Sequence, residues 1–179
     1  MAKFELLGFL HASGSIKSKK KVELQTKKPE LASLFFELLS EIGKPEIKKN
    51  TKIIVSLKDK KLNDFFEDFG ISLPLNKNNL PIKILDSSKK RISFLRGFFE
   101  GKSSISVKKK IIKISGKKEQ LEQIKKLLEL EEVDARIYKN KKYFSLYIEG
   151  KMKCFVFRNK IGFLSKEKNK KLEKILSAI

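Results

Sequence analysis

One short apolar segment occurs twice in this chain, and the repeat constrains the fold more than any other feature. The first copy is LLGFLHASGSI over residues 6–16, and the second is FLRGFFEGKSSI over residues 94–105. In each copy a glycine interrupts an apolar helical run, and Gly97 follows Gly8 by 89 residues (97 − 8). A glycine inside a helix costs up to about 1 kcal/mol relative to alanine, so two glycines at matching positions indicate a packing role. We therefore predict that the two helices lie against each other and that Gly8 and Gly97 let their backbones approach closely.

The secondary-structure pattern around each copy repeats as well. Hydrophobic periodicity and turn residues predict, for the first set, a helix at 2–12, a hairpin at 15–26, a helix at 29–42, strands at 45–49 and 51–57, and a helix at 59–69. They predict, for the second set, a helix at 87–101, a hairpin at 103–115, a helix at 117–130, strands at 133–139 and 142–148, and a helical stretch from 150. A last helix at 165–178 has no counterpart in the first set.

This order of elements predicts an α+β fold made of two αββαββα units. We expect the first repeat to cover residues 1–70 and the second to cover residues 86–179, joined by a Pro- and Asn-rich linker at 71–85. Neither half is long enough to close a core alone. We therefore expect one pseudo-twofold domain in which the two glycine-containing helices pair. Two four-stranded antiparallel sheets would then lie side by side, each with one face open to solvent.

The charge of the chain favours a polyanionic partner. It has 42 Lys and Arg against 21 Asp and Glu, a net charge of +21 and a pI of about 9.9. A surplus of this size is typical of proteins that bind nucleic acid. The alternative is a lysine-rich genome composition, but such compositions usually raise glutamate together with lysine, and here glutamate does not keep pace.

The basic residues recur on the predicted strands, where side chains alternate between the two faces of a sheet. The solvent-facing set predicted for the first half comprises Lys17, Lys19, Lys21, Glu23, Gln25, Lys48 and Lys52. The set predicted for the second half comprises Lys108, Lys110, Lys113, Arg136, Tyr138 and Lys142. Together these residues predict a basic saddle that straddles a duplex and reads it with β-ribbons in the major groove. The alternative is that they form only a solvated sheet face.

Several classes of site and location are disfavoured by composition. A single cysteine, Cys154, excludes an internal disulfide, and together with the single His11 it excludes zinc fingers. The chain has no apolar run of about 18 residues and no signal-peptide pattern. We therefore expect a cytoplasmic monomer that does not bind membranes.

The paired motifs and the order of elements resemble those of the LAGLIDADG homing endonucleases in their single-chain, two-motif form. The resemblance covers nearly the whole chain and includes a late IGFL segment at 161–164, followed by Lys168 and a closing helix. It implies a saddle-shaped DNA-binding fold. Members of the family place an acidic residue at the foot of each motif helix, and these two carboxylates hold Mg²⁺ against the scissile phosphates.

In this chain the matching positions are Ser13 and Lys102, so both expected carboxylates are replaced. Serine is a poor, neutral ligand, and a protonated lysine repels a metal ion. Glu100 lies roughly 200° around the helix from Lys102, where the resemblance implies a helix-end contact instead. Glu23 lies on the predicted sheet face. We therefore expect no catalytic residue, no metal site and no cofactor, with Mg²⁺ required only if cleavage is retained. Lys102 is expected either to remain solvated or to grip a backbone phosphate in place of the metal.

These observations leave four interpretations open. The first is a non-cleaving protein that binds double-stranded DNA, for example a regulator similar to the WhiA family, which resembles this fold. The second is an RNA-binding intron maturase, although the narrow major groove of A-form RNA admits a β-ribbon poorly. The third is an active metal-dependent endonuclease with unrecognised ligands. The fourth is a structural or protein-binding module whose charge is incidental.

Overall fold

A computed structural model describes residues 1–71, 77, 79–140 and 143–177 of the chain. Its α-helices are α1 (Ala2–Ala12), α2 (Pro29–Ser40), α3 (Lys61–Asp68), α4 (Ser88–Lys102), α5 (Lys118–Leu130), α6 (Lys151–Lys160) and α7 (Lys166–Ser177). Its strands are β1 (Ser15–Ser18), β2 (Lys21–Thr26), β3 (Glu46–Lys49), β4 (Ile53–Lys58), β5 (Ser104–Ser106), β6 (Ile111–Gly116), β7 (Arg136–Asn140) and β8 (Tyr143–Glu149). A short 3₁₀ turn, Ile82–Ile84, precedes α4.

The strands form two separate four-stranded antiparallel sheets of the same topology. The first sheet has the order β1-β2-β4-β3, and the second has the order β5-β6-β8-β7. The register is equivalent in the two sheets, because Glu46 pairs with Ser56 in the first and Arg136 pairs with Tyr147 in the second. This topology confirms the predicted α+β fold with two antiparallel sheets.

The two motif helices, α1 and α4, form the centre of the molecule. Leu6, Leu7, Phe9 and Leu10 of α1 are all fully buried, as expected for a helix that is apolar on nearly every side. Phenylalanine side chains fill most of the space around them, and rings of Phe9 and Phe35 stack with centroids 5.1 Å apart. The core is therefore built around the helix pair and extends from it into both halves.

The outer helices α2 and α5 cover the inner faces of the sheets. Each is amphipathic, with a buried stripe that packs on the strands. In α2 the buried residues are Ala32, Phe35, Leu38 and Leu39, and in α5 the buried hydrophobic residues are Leu121, Ile124, Leu127 and Leu128. Among the described helices, none combines the length and the apolar character needed to cross a membrane.

The second predicted hairpin, at 103–115, is present, because β5 pairs with β6 in an antiparallel register. Its first strand is short: β5 ends at Ser106, and a turn at 107–110 connects it to β6. Lys110 has a left-handed backbone conformation with φ of 54°, and its carbonyl oxygen accepts a hydrogen bond from the amide of Gly150 at 2.8 Å. The turn therefore bends toward the start of α6, which the alternation pattern alone did not show.

Candidate nucleic-acid interface

Gly8 and Gly97 lie where α1 and α4 approach most closely. A Cβ atom built on Gly8 would lie 2.0 Å from the carbonyl oxygen of Phe94, and one built on Gly97 would lie 1.9 Å from that of Glu5. No real side chain tolerates such distances, so each backbone occupies the space that a side chain would need. The predicted close packing of the two helices at these glycines is present in the structure.

This packing brings the C-terminal ends of the two helices together, and we call the region around Ser13, Lys77, Lys102 and Lys168 the helix foot. The hydroxyl of Ser13 donates a hydrogen bond to the carbonyl oxygen of Gly101 across the helix pair, at 2.5 Å. The Lys102 ammonium donates to Oε1 of Gln120 at 2.6 Å and lies 5.6 Å from the centroid of the Phe98 ring. The positions expected to hold two acids are thus occupied by a hydroxyl and an ammonium that already have protein partners.

These residues do not fit a magnesium site. Mg²⁺ takes oxygen ligands in near-octahedral geometry, usually from carboxylates and water. Ser13 Oγ is bonded to a carbonyl, and Lys102 brings a positive charge. Within the described ranges, no three His, Cys, Asp or Glu side chains cluster in a way that could hold a metal ion.

The outer face of the first sheet is mixed rather than uniformly basic. Paired residues on neighbouring antiparallel strands point to the same face, and the row across the middle of this sheet comprises Ser15, Glu23, Ser56 and Glu46. Lys21 pairs with Lys58 in a flanking row, and Gln25 and Lys48 share the remaining row with Ile54. The exposed Lys17 lies at a register irregularity between Ile16 and Ser18.

Glu23 lies on this face, as predicted, and is partly neutralised there. Its carboxylate accepts a hydrogen bond from Nε2 of Gln25 at 2.8 Å and lies 3.7 Å from the Lys21 ammonium. Lys58 was missed because strand β4 was expected to end at 57. Its pairing with Lys21 adds a second ammonium to the edge of the face.

The outer face of the second sheet combines basic and aromatic side chains. Its middle row comprises Ser104, Lys113, Tyr147 and Arg136, at the positions that hold Ser15, Glu23, Ser56 and Glu46 in the first sheet. Tyr138 pairs with Ser145 in the next row and is exposed. Of the residues predicted for this face, Lys142 lies outside the described residues. Tyr143 and Tyr147 were missed because only charged residues and Tyr138 were selected from the alternation pattern.

The other predicted residues lie on turns instead of strands. Lys19 is in the β1–β2 turn, Lys52 is in the β3–β4 turn, and Lys108 and Lys110 are in the turn that follows β5. Placing Lys108 and Lys110 on the sheet face was therefore wrong, because β6 begins only at Ile111. Whether these lysines contact nucleic acid stays a prediction.

Comparisons with known proteins agree with this geometry. The sequence of residues 89–162 matches the family model of the LAGLIDADG-like domain. The match covers most of the second repeat, and the whole chain has the LAGLIDADG fold. A comparison with curated protein sequences gives no match.

Solved structures with the LAGLIDADG fold superimpose on most of the chain. Full-length DUF199/WhiA from Thermatoga maritima has a TM-score of 0.65 and 20% identity, over 99% of this chain and 61% of that protein. I-DmoI in complex with DNA and Mn has a TM-score of 0.66 and 21% identity, over 90% of this chain and 96% of that one. The N-terminal LAGLIDADG domain of DUF199/WhiA has a TM-score of 0.63 and 18% identity, over 97% of this chain and 86% of that one. The chain thus spans less than two thirds of full-length WhiA.

Two partly buried lysines interact with the C-terminal ends of α1 and α4. Lys77 donates a hydrogen bond to the carbonyl oxygen of Gly14 at 2.6 Å, just past the end of α1. Lys168 donates to the carbonyl oxygens of Phe99 and Glu100 at 3.0 and 2.5 Å, in the last turn of α4. The C-terminal end of a helix carries partial negative charge, so both ammonium groups are favourably placed. Lys77 was not predicted, because it lies in the linker and not in a helix or strand of the repeat. Its separation from Lys168 is 91 residues (168 − 77), close to the offset between the two repeats.

The electrostatics of the helix foot disfavour a further cation. Burial lowers the pKa of Lys102, and the nearby charge of Lys77 lowers it further. Burial also lowers the pKa of Lys168, to about 8, although the Glu100 carboxylate opposes the shift. A cleft of about 390 Å³ opens beside this end of α4, and its lining includes four lysines, Lys28, Lys102, Lys168 and Lys171, and three glutamates, Glu30, Glu100 and Glu167. Lys168 pairs with Glu100 and Lys171 pairs with Glu167, so the charge of the lining is mixed, with a surplus of one positive group (4 − 3).

Glu100 has a structural role near the C-terminal end of α4. Its buried carboxylate accepts hydrogen bonds from the backbone amides of Leu164 and Ser165, both at 3.0 Å, immediately before α7 begins. A carboxylate at a helix N-terminus is favoured by the helix dipole. The predicted helix-end contact is therefore present, and it fixes α7 against the foot of α4.

Proposed function

We propose that this chain binds duplex DNA with the outer faces of its two sheets and does not cleave it. The observation that supports this most strongly is the helix foot. Three ammonium groups, those of Lys77, Lys102 and Lys168, surround the place where a metal-dependent enzyme of this fold would need carboxylates. Such a group of amines attracts a phosphate and repels a divalent cation.

The sheet faces supply the remaining contacts. Basic side chains lie on the outer faces of both sheets, and further lysines lie in the turns at their edges. These outer faces are open to solvent. Phosphate contacts from such residues supply affinity and position, while base edges supply sequence specificity. Relatives of the same fold, such as I-DmoI, have been solved in complex with DNA, which supports the choice of duplex DNA as the partner.

A plasmid assay tests binding and cleavage together. Supercoiled plasmid is incubated with the protein in Mg²⁺, and half of each sample is treated with detergent before electrophoresis. We expect the untreated DNA to be shifted by bound protein and the treated DNA to be supercoiled and intact. Conversion to nicked or linear plasmid that a metal chelator prevents would contradict the proposal. An absence of any shift at low salt would contradict it too.

The double variant Ser13→Asp, Lys102→Glu tests why cleavage is absent. It restores both carboxylates, and calorimetric titration with Mg²⁺ is expected to detect binding in the variant and none in the wild type. The single variant Ser13→Ala serves as the control, because it removes the Gly101 hydrogen bond without adding a ligand. Mg²⁺ binding by the wild type would overturn the assignment of the foot as an anion site.

A further inference from the structure

All three tyrosines of the chain lie on the outer face of the second sheet. Tyr143 and Tyr147 are on β8, and Tyr138 on β7 pairs with Ser145, which lies between them. The Tyr138 and Tyr143 residues are 42% and 68% exposed, and Tyr147 is half-buried. The rings therefore stand at three successive levels along one strand pair, two of them open to solvent.

The first sheet has no aromatic side chain at the equivalent positions. The shared register aligns Tyr138 with Lys48 and Tyr147 with Ser56. The two sheets therefore differ in chemistry although they share topology. The first can contact phosphates with lysine, whereas the second also presents flat π-faces.

Two of the three rings, those of Tyr138 and Tyr147, are held in place before any ligand arrives. The Tyr138 and Tyr147 rings meet edge to face, with centroids 5.4 Å apart and an interplanar angle of 74°. The Tyr138 hydroxyl donates to Oε2 of Glu149 at 3.2 Å, and the Lys113 ammonium lies 5.5 Å from the Tyr147 ring centroid. A ring that is already fixed loses little conformational freedom when a ligand stacks on it.

The spacing of the rings fits bases that have been drawn apart. Alternate residues of a strand are about 7 Å apart, since each residue advances the chain by about 3.4 Å. Bases stacked in a duplex follow one another at only about 3.4 Å along each strand. Tyr138 and Tyr147 lean together as one edge-to-face pair, whereas Tyr143 lies one level, about 7 Å, further along the strands than Tyr138. The spacing between the levels of Tyr138 and Tyr143 is too wide for stacked neighbours, but it fits successive bases of an extended, unpaired strand.

We infer that the outer face of the second sheet binds unpaired bases of DNA, which stack on Tyr138 and Tyr143. Lys113 and Arg136, in the adjacent row, would hold the phosphates of the same strand. Base–aromatic stacking is sequence-tolerant because every base has a π-face. This inference rests on the proposed function and refines it: the preferred ligand is a duplex whose bases are unpaired over one half of the site.

Intrinsic fluorescence provides a direct test, because the chain has no tryptophan and every tyrosine lies on this face. The full chain is titrated with a DNA duplex and with the same duplex carrying a short mismatched bubble in one half. We expect the bubble duplex to quench tyrosine emission more strongly and to bind about tenfold more tightly, the effect of one stacked base.

Variants identify the residues responsible. The double variant Tyr138→Lys, Tyr143→Lys keeps the face basic but removes its exposed rings, and we expect it to bind both probes equally. The double variant Tyr138→Phe, Tyr143→Phe keeps the rings and is expected to retain the tenfold preference. The first-sheet control Lys48→Ala is expected to weaken binding of both probes by the same factor.

Two results would overturn the inference alone. Equal affinity and equal quenching with the two probes would show that unpaired bases are not preferred, and a preference that persists in the double lysine variant would place the recognition elsewhere. Binding of neither probe would refute the proposed function as well.

Discussion

His11 occupies the position in α1 that corresponds to Glu100 in α4, yet their surroundings differ. Glu100 accepts two backbone hydrogen bonds, whereas neither ring nitrogen of His11 has a hydrogen-bond partner within the described part of the chain. The His11 ring is buried and packs edge to face against Phe94, with centroids 5.8 Å apart. Burial, followed by the charge of Lys77, lowers the pKa of His11 from 6.5 to about 4. The first half therefore contains a buried imidazole that favours its neutral form.

This pKa predicts acid sensitivity. Between about pH 6.5 and 4 the unfolded chain binds a proton at His11 that the folded chain does not, so stability falls as the pH is lowered through this window. The shift corresponds to about 3 kcal/mol. Between pH 7 and pH 4 the unfolding free energy of the wild type is expected to fall. We expect the fall to be about 3 kcal/mol smaller in the variant His11→Leu. Urea denaturation at both pH values measures this, and parallel pH profiles would contradict it.

The residues of the helix foot were only partly predictable. Ser13 and Lys102 follow from their spacing after Gly8 and Gly97, because a helix places equivalent positions at equivalent angles. Lys77 could not be found in this way, since its position depends on how the linker returns to the end of α1. The bonds that occupy Ser13 and Lys102 also depend on Gly101 and Gln120, which are distant in sequence from their partners.

At the level of elements, the α1–α4 pair was the strongest prediction, and its strength comes from sterics. Glycine destabilises a helix, so two glycines at matching positions in apolar helices indicate that the two backbones are in contact there. The short strands were harder to place, because alternation does not reveal where a hairpin stops pairing. The turn at 107–110 illustrates this: Lys108 and Lys110 continue the alternation, but hydrogen bonds to α6 bend the chain away from the sheet.

Substitution of Gly97 by alanine tests the packing of the helix pair. The added Cβ would overlap the Glu5 carbonyl oxygen at 1.9 Å, and backbone atoms cannot move away as a flexible side chain can. We expect a loss of about 3 kcal/mol in unfolding free energy, the upper end of the range of about 1–3 kcal/mol for overpacking, because the contact is between backbones. The control Ser33→Ala, at an exposed position of α2, is expected to change stability by less than about 0.5 kcal/mol. A loss of under about 1 kcal/mol for Gly97→Ala would show that the helices can separate at little cost.

On the scale of the whole molecule, the net charge of +21 predicts a polyanionic partner but says little about how the charge is distributed over the surface. The expected basic saddle has Glu46 beside the predicted Glu23 in the first sheet, and Tyr143 and Tyr147 beside the predicted Tyr138 in the second. Composition reports only the sum of charges. The distribution over the faces follows from strand register, which brings residues distant in sequence into one row. The overall fold was predictable because both halves repeat the same order of elements.

The central claim is that this chain binds duplex DNA without cutting it, and selection from a random-sequence duplex pool in Mg²⁺ tests it most directly. If the proposed interface is right, the sheet residues Lys17, Lys21, Lys48, Lys58, Lys113 and Arg136 contact phosphates, and log K is expected to fall with log salt with a slope of about −5. We predict that the protein retains full-length, uncut duplexes and that structured RNA of equal length competes weakly for the protein. Failure to retain DNA at low salt, recovery of cleaved fragments, or stronger competition by RNA would contradict it.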